Sequence, residues 1–220
     1  MAISKEIRWF FNDNIKPMEE WFANLPIPQK LDETGFYPRQ DYYLAMPGVR
    51  NLGIKIREPK KDATSGKLKT ALEVKQQISD NEPIEMRNAK AFVNTWQKFS
   101  YELVEGAENL LAINLPIPTT DKNWIRIDKD RIMVKYDADN KKICEGKEKL
   151  DEACGIELTK IQLLGKEYYS LGLEAFSTSG KKLEANFKAC CDYVFKSIYI
   201  EGLTLENSLS YPEFLADANQ

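Results

Sequence analysis

Apolar and polar residues alternate with period two over much of the chain, as in strands that turn one face to a core. Residues 3–11 place Ile3, Ile7 and Trp9 on one side and Ser4, Glu6 and Arg8 on the other. Arg39 to Met46 reads as a strand that ends at the Pro47-Gly48 turn. Leu52 to Glu58 sets Ile54 and Ile56 against Lys55 and Arg57. Leu68 to Gln77 sets Leu68, Thr70, Leu72 and Val74 against Lys69, Ala71, Glu73 and Lys75, and the polar loop 59–67 makes these two runs an antiparallel hairpin. Phe92 to Leu103 reads as a further strand and the preceding Ile84 to Ala91 as helix-like. Leu115 to Thr119 is a proline-bearing loop, and Trp124 to Tyr136 is one long strand or two. After a charged connection over 137–152, Ile156 to Leu163 and Tyr168 to Phe176 form a second hairpin about Gly165. The helical period occurs clearly twice. Ile15 to Leu25 carries Met18, Trp21, Phe22 and Leu25 as its stripe, and Ser177 to Lys196 carries Leu183, Phe187, Cys190, Cys191, Val194 and Phe195. Eight or nine strands flanked by helices predict an α+β fold with an antiparallel sheet.

The polar faces repeat one composition. Glu6 with Arg8, Lys55 with Arg57, Glu73 with Lys75, and Arg131 with Lys135 stand two residues apart, and Glu157 and Glu174 lie on the polar faces of the last hairpin. A half-buried sheet with a solvated charged face explains such alternation. A closed barrel with its charged faces inward, its apolar outside covered by the two helices, explains it as well. A barrel of about eight strands has room inside for side chains and a small ligand. Inward lysines and arginines then need interleaved carboxylates or a bound anion.

Composition narrows the chemistry. Among 220 residues there is no histidine, which removes histidine-based triads and histidine-ligated zinc. Lysine and arginine total 31 against 34 acidic residues, a net charge of -3, so no broad nucleic-acid binding is expected. No apolar run approaches the roughly 20 residues of a membrane span. The beginning, MAISKEIRWFF, is too short and too charged for a signal peptide, and Cys144, Cys154, Cys190 and Cys191 match no zinc spacing. A single domain over 1–220 in the cytoplasm, with free thiols packed in its core, is the expectation. The large aromatics, including Trp9, Trp21, Trp96 and Trp124, are expected in the core rather than at a stacking platform.

An ordered set of short elements resembles the CYTH-like, or triphosphate tunnel, family. Glu6-Ile7-Arg8 resembles part of its first strand, and Asp41-Tyr42-Tyr43 its second-strand DxYY element. Leu52 to Arg57 is similar to its basic third strand, Leu72-Glu73-Val74-Lys75 to its fourth, and Lys129-Asp130-Arg131 to its KxR element. Leu173-Glu174-Ala175-Phe176 before a long helix, and Ser210-Tyr211, resemble its closing elements. The resemblance implies an eight-stranded, closed or nearly closed tunnel barrel with flanking helices. It implies phosphate contacts from Arg8, Lys55, Arg57, Lys75, Lys129, Arg131 and Lys135. Glu6, Glu73, Glu157 and Glu174 would hold Mg²⁺ or Mn²⁺, with Glu6 and Glu174 acting in catalysis. The partner would be inorganic polyphosphate or another phosphate-containing small molecule, bound and, in a metal-dependent phosphohydrolase, cleaved. Two departures stand out. Ser4 takes the place of the first glutamate, and Gly172 or Phe176 the place of a second carboxylate beside Glu174. A catalytically inactive phosphate- or nucleotide-binding tunnel and a protein-interaction module are the alternatives.

Overall fold

The structure is a computed structural model describing residues 2–28, 39–57, 60–61, 63–64, 66–104 and 123–218. In chain order the elements are β1 (Ala2–Phe11), α1 (Lys16–Ala23), β2 (Arg39–Leu44), β3 (Leu52–Arg57), β4 (Lys60–Lys61), β5 (Leu68–Gln77) and β6 (Glu82–Met86). They continue with β7 (Ala89–Val104), β8 (Trp124–Asp137), β9 (Lys142–Glu145), β10 (Glu152–Leu163), β11 (Lys166–Ser177), α2 (Leu183–Ser197) and α3 (Tyr211–Ala218).

Eight strands form a closed antiparallel ring in the order β5-β3-β2-β8-β10-β11-β1-β7. The ring shuts where β5 pairs with β7, from Lys69 opposite Val104 to Gln77 opposite Trp96. The fold is therefore the expected α+β barrel. The strands β4, β6 and β9 are short additions to β5, β7 and β8. The β10–β11 hairpin turns at Leu164 and Gly165, both with positive φ (51° and 77°), as a type I′ turn requires.

The charged faces point inward. Ile7 and Trp9 of β1, Ile132 and Val134 of β8, Ile156 and Leu158 of β10, and Leu171 and Leu173 of β11 point out of the barrel and are fully buried. They are covered by Met18 and Phe22 of α1 and by Phe187, Cys190, Val194 and Phe195 of α2, in one continuous apolar cluster. Trp9 packs edge-on against Phe195 and donates its indole N–H to the Lys90 carbonyl. All four cysteines are buried free thiols.

Several expectations need correction. Residues 84–91 are not helix-like: they comprise the end of β6, a turn at Arg87-Asn88, and the start of β7. Ala89, Ala91 and Val93 sit in the outer apolar layer, with Lys90 exposed between them, and the alanines, which suit either period, hid the strand. Trp124–Asp137 is one strand, the charged connection contains β9, and α2 begins at Leu183 rather than Ser177. The proline-bearing loop 115–119 lies outside the described residues. A third helix, α3, was not expected. It opens with a capping box: Ser210 N–H donates to Glu213 Oε2 (2.7 Å), and Glu213 N–H reaches back to Ser210 Oγ (3.4 Å).

That third helix has a specific place. Toward one end of the barrel the inward positions turn apolar, with Phe10, Ile125, Ile127, Ile161 and Leu163, and α3 packs Phe214 and Leu215 against them. Phe10 stacks on Phe214 with centroids 4.0 Å apart, and Tyr43 stacks on Tyr211 at 5.8 Å. The side chain of Arg50, next to β3, ion-pairs with Asp217, and Asn81 donates to Glu213 (2.9 Å). The helix thus plugs that end. Phe214→Ala should lower the unfolding free energy by roughly 3 kcal/mol, the lower range for a buried phenylalanine. It should also speed amide exchange over 209–218 while leaving α2 protected, as read by urea titration and hydrogen exchange.

Candidate functional site: a charged cavity inside the barrel

Above the apolar plug the barrel encloses a cavity of about 340 Å³. Every ring strand contributes a side chain to its wall. The strand period explains why: residues two apart share the inner face, so Glu6 and Arg8, Lys55 and Arg57, Glu73 and Lys75, and Lys129 and Arg131 all arrive together.

The deepest part is built on Asp41, which is fully buried. Its Oδ2 receives Arg39 at 2.8 Å, Lys129 at 3.3 Å and Lys55 at 3.5 Å. Lys129 also donates to Tyr43 Oη (3.0 Å) and lies 3.9 Å from the Tyr211 ring centroid, a cation–π contact. Burial tends to raise the Asp41 pKa, but Lys55, Lys129 and Arg39 outweigh it and hold the carboxyl well below its usual range. One carboxylate facing three cations leaves the lysines short of compensation. Burial, reinforced by Arg39, brings Lys55 down to about 7 against the pull of Asp41. Burial brings Lys129 down to about 7 as well, opposed by Asp41 and supported by Arg39.

Around the middle, Glu157 accepts from Arg8 (3.1 Å) and Thr159 (3.0 Å) on one oxygen and from Arg131 (3.0 Å) on the other. Glu6 accepts from Arg8 Nε (2.8 Å) and, on its second oxygen, from Lys75. Lys75 also reaches Glu174 at 3.0 Å, where Ser4 donates at 2.7 Å. Glu73 meets Arg57 at 2.6 Å, Lys98 at 3.0 Å and Lys55 at 3.2 Å. Burial works against ionisation of Glu73 and Glu174, yet Lys55, Lys98 and Arg57 hold the first at about 2, and Lys75 with Ser4 holds the second at about 2. Side-chain exposure rises from 2% at Lys129 to 40% at Arg57 and Glu174, so the cavity runs from a dry inner end to a wet outer one.

The structure thus gathers Glu6, Arg8, Lys55, Arg57, Glu73, Lys75, Lys129, Arg131, Glu157 and Glu174 around one hollow. Lys135 is apart from it, its Nζ on the Glu148 carbonyl and over the Phe176 ring. Among the further lining residues, the cations Arg39 and Lys98 carried no sequence expectation of a role, and Trp96 and Tyr211 also border the cavity. Arg39 shares strand parity with Asp41, and Lys98 with Trp96, so the inner face could have been extended to both. Trp96 was expected in the core; it is 1% exposed but borders the cavity, with Lys75 5.3 Å from its ring. The buried N–H groups of Trp96 Nε1 and of Arg39, Arg57 and Arg131 Nε have no protein acceptor.

No family model matches the chain, and no curated protein does. Among solved structures it is similar to S. pombe Pct1 RNA triphosphatase in complex with the Spt5 CTD. The likeness covers 89% of this chain and 83% of that one, at 11% identity and a TM-score of 0.40. No residue role passes from one chain to the other at that level.

The donor set does not fit a divalent metal. Hard cations need several oxygen ligands in one place. Among the described residues, no group of three or more acidic, cysteine or histidine side chains comes together to hold one. Of the four glutamates expected as ligands, Glu6 and Glu174 stand opposite each other in the β1–β11 ladder and share Lys75, Glu157 lies on the next strand and Glu73 lies on β5, and each has a lysine or arginine at 3.2 Å or closer.

The buried lysines make a pH prediction. An unfolded lysine titrates near 10.4, whereas Lys129 in the barrel titrates at about 7. Between these values the unfolded chain binds a proton that the folded chain does not, so this group's contribution to stability rises with pH there. Lys129→Met removes the contribution. Wild-type stability relative to the variant should therefore increase from pH 7 to pH 10, by at most about 1.4 kcal/mol per pH unit. Paired urea titrations across that range measure it.

Proposed function

We propose that the barrel is a receptor for a polyphosphate-type anion, bound in the inner cavity by Arg8, Arg39, Lys55, Arg57, Lys75, Lys98, Lys129 and Arg131. The observation that carries this reading is the charge balance of an enclosed site. These eight basic residues face five carboxylates, Glu6, Asp41, Glu73, Glu157 and Glu174, a formal excess of three positive charges that proton loss from Lys55 and Lys129 near pH 7 only partly relieves, in a protein whose net charge is -3. Buried like charges are unfavourable unless a counter-charge joins them. An anion with several phosphate groups supplies it. Arginines suit paired phosphate oxygens and lysines act as point charges, so a mixed wall can hold a linear anion at several places.

The carboxylates take a structural role in this reading. They stand between the cations and aim them. Lys75 illustrates the arrangement: burial lowers its pKa, but Glu174 and Glu6 more than compensate and raise it above the usual lysine value. Metal-dependent hydrolysis, implied by the family resemblance, has no gathered carboxylate set among the described residues to support it. The receptor reading needs none.

Tripolyphosphate should raise the melting temperature. At a hundred times its dissociation constant, a ligand stabilises the fold by about 2.7 kcal/mol. Arg57→Ala and Arg131→Ala should each weaken binding, by roughly ten- to a hundredfold if a charge-assisted hydrogen bond is lost. Unchanged affinity in both variants would remove the site. Binding should also take up protons above pH 7, because the anion restores charge to Lys55 and Lys129. Affinity then falls as pH rises from 7 to 9. Calorimetry in buffers of different ionisation enthalpy measures the uptake. A protein-interaction module would show neither the thermal shift nor the proton uptake.

A further inference from the structure

Resting on the receptor reading above, we infer that the cavity takes its anion without a divalent metal, and that the Arg8 guanidinium laid against Gly172 is the fixed cation that a bridging ion would otherwise supply. Three adjacent strands make the arrangement. In the ladders, Arg8 of β1 and Glu157 of β10 both stand opposite Gly172 of β11. The glycine leaves a bare patch of backbone, and the guanidinium lies on it. A methyl group added at Gly172 would be 2.5 Å from Arg8 Cζ and Nη2 and 2.8 Å from Nη1. Atoms do not approach so closely, so any side chain at this position, acidic ones included, is incompatible with Arg8 where it stands.

The guanidinium is fixed from several sides. Nε donates to Glu6 at 2.8 Å, and Nη1 donates to Glu157 and to Ser170, both at 3.1 Å. The Tyr211 ring centroid is 4.9 Å from Cζ. The group is 6% exposed and lines the cavity. Burial alone would lower its pKa, but Glu6 and Glu157 raise it well above the ordinary arginine value, so the charge is permanent. A permanent cation in a preorganised position interacts with phosphate oxygens without reorganising on binding.

The carboxylates that an ion would use are engaged by the same network. Both oxygens of Glu6 are taken, by Arg8 and Lys75, and both of Glu157, by Arg8 with Thr159 and by Arg131. Ser4, opposite Phe176 in the β1–β11 ladder, offers a hydroxyl that donates to Glu174. Ser4 and Lys75 share one oxygen of Glu174, whereas an ion that gains Glu6 or Glu157 displaces a lysine or an arginine from it and meets the remaining cations at close range.

Tripolyphosphate titrated calorimetrically into the full chain, in EDTA and then in excess Mg²⁺ or Mn²⁺, tests the inference. The dissociation constant in EDTA should be as low as with metal or lower, since the ion also binds the free ligand. With Mn²⁺, the protein should bind no manganese beyond the share held by tripolyphosphate, as read by electron paramagnetic resonance. A dissociation constant that tightens on adding metal overturns the inference while leaving the receptor reading in place. No binding under either condition overturns the receptor reading itself. Gly172→Ala should turn Arg8 aside and weaken binding in EDTA by about tenfold or more. Arg8→Lys, which keeps the charge and loses the fork, should weaken it in the same direction should the first variant fold poorly. Wild-type affinity in a folded form of either variant removes Arg8 from the proposed role.

Discussion

Moving ionised side chains from water to the inside of a closed barrel is strongly unfavourable unless each finds a counter-charge. That constraint governs the wall of this cavity. Carboxylates alternate with lysines and arginines along and across the strands, so that Glu6, Asp41, Glu73, Glu157 and Glu174 each touch at least two cationic groups or a cation and a hydroxyl. The interior is a lattice of opposite charges with positive charge in surplus. Where the compensation is thinnest, around Asp41, the burden falls on Lys55 and Lys129, which give up protons near neutrality.

The same choice fixes what the outside must do. A sheet whose ionised face is enclosed presents its apolar face outward, and that face needs cover. The α1 and α2 helices supply it over β1, β8, β10 and β11, in the largest apolar cluster of the molecule's described part. The inner end has a different answer. There the inward residues are apolar, and α3 supplies the apolar partner, with Tyr211 forming the boundary between the greasy plug and the charged space above it.

Strand direction was legible because alternation is strict where it matters. In β3 and β5 the charged positions keep one parity, and in β1 and β8 the residues Glu6, Arg8, Lys129 and Arg131 share the parity that the barrel turns inward, while Lys5, Arg126, Asp128 and Asp130 fall on the other face. Closure was less legible, since it depends on β5 meeting β7 across a pairing that no local pattern specifies. The β6–β7 hairpin was obscured because alanines carry its buried face, and alanine is compatible with either period. The capping box at Ser210 and Glu213 was a readable helix signal, but the few apolar residues after it gave little periodicity. In the site, most of the charged wall followed from parity. Arg39 and Lys98 follow from it too, whereas the position of Lys135 depends on where the barrel ends and on Glu148, which sequence spacing does not reveal. The close approach of Arg8 to Gly172 is likewise a product of register between strands far apart in the chain.

The plug of α3 bears on kinetics. On the receptor reading proposed above, with one end of the barrel filled, an anion approaching from the wet side would meet Arg57 and Lys98 before it could reach Lys129. The outer pair works through solvent and is screened by salt within about 10 Å at ordinary ionic strength. The inner group is desolvated and little screened. On that reading, capture speed and dwell time would fall to different residues, the first sensitive to the ionic medium and the second nearly indifferent to it.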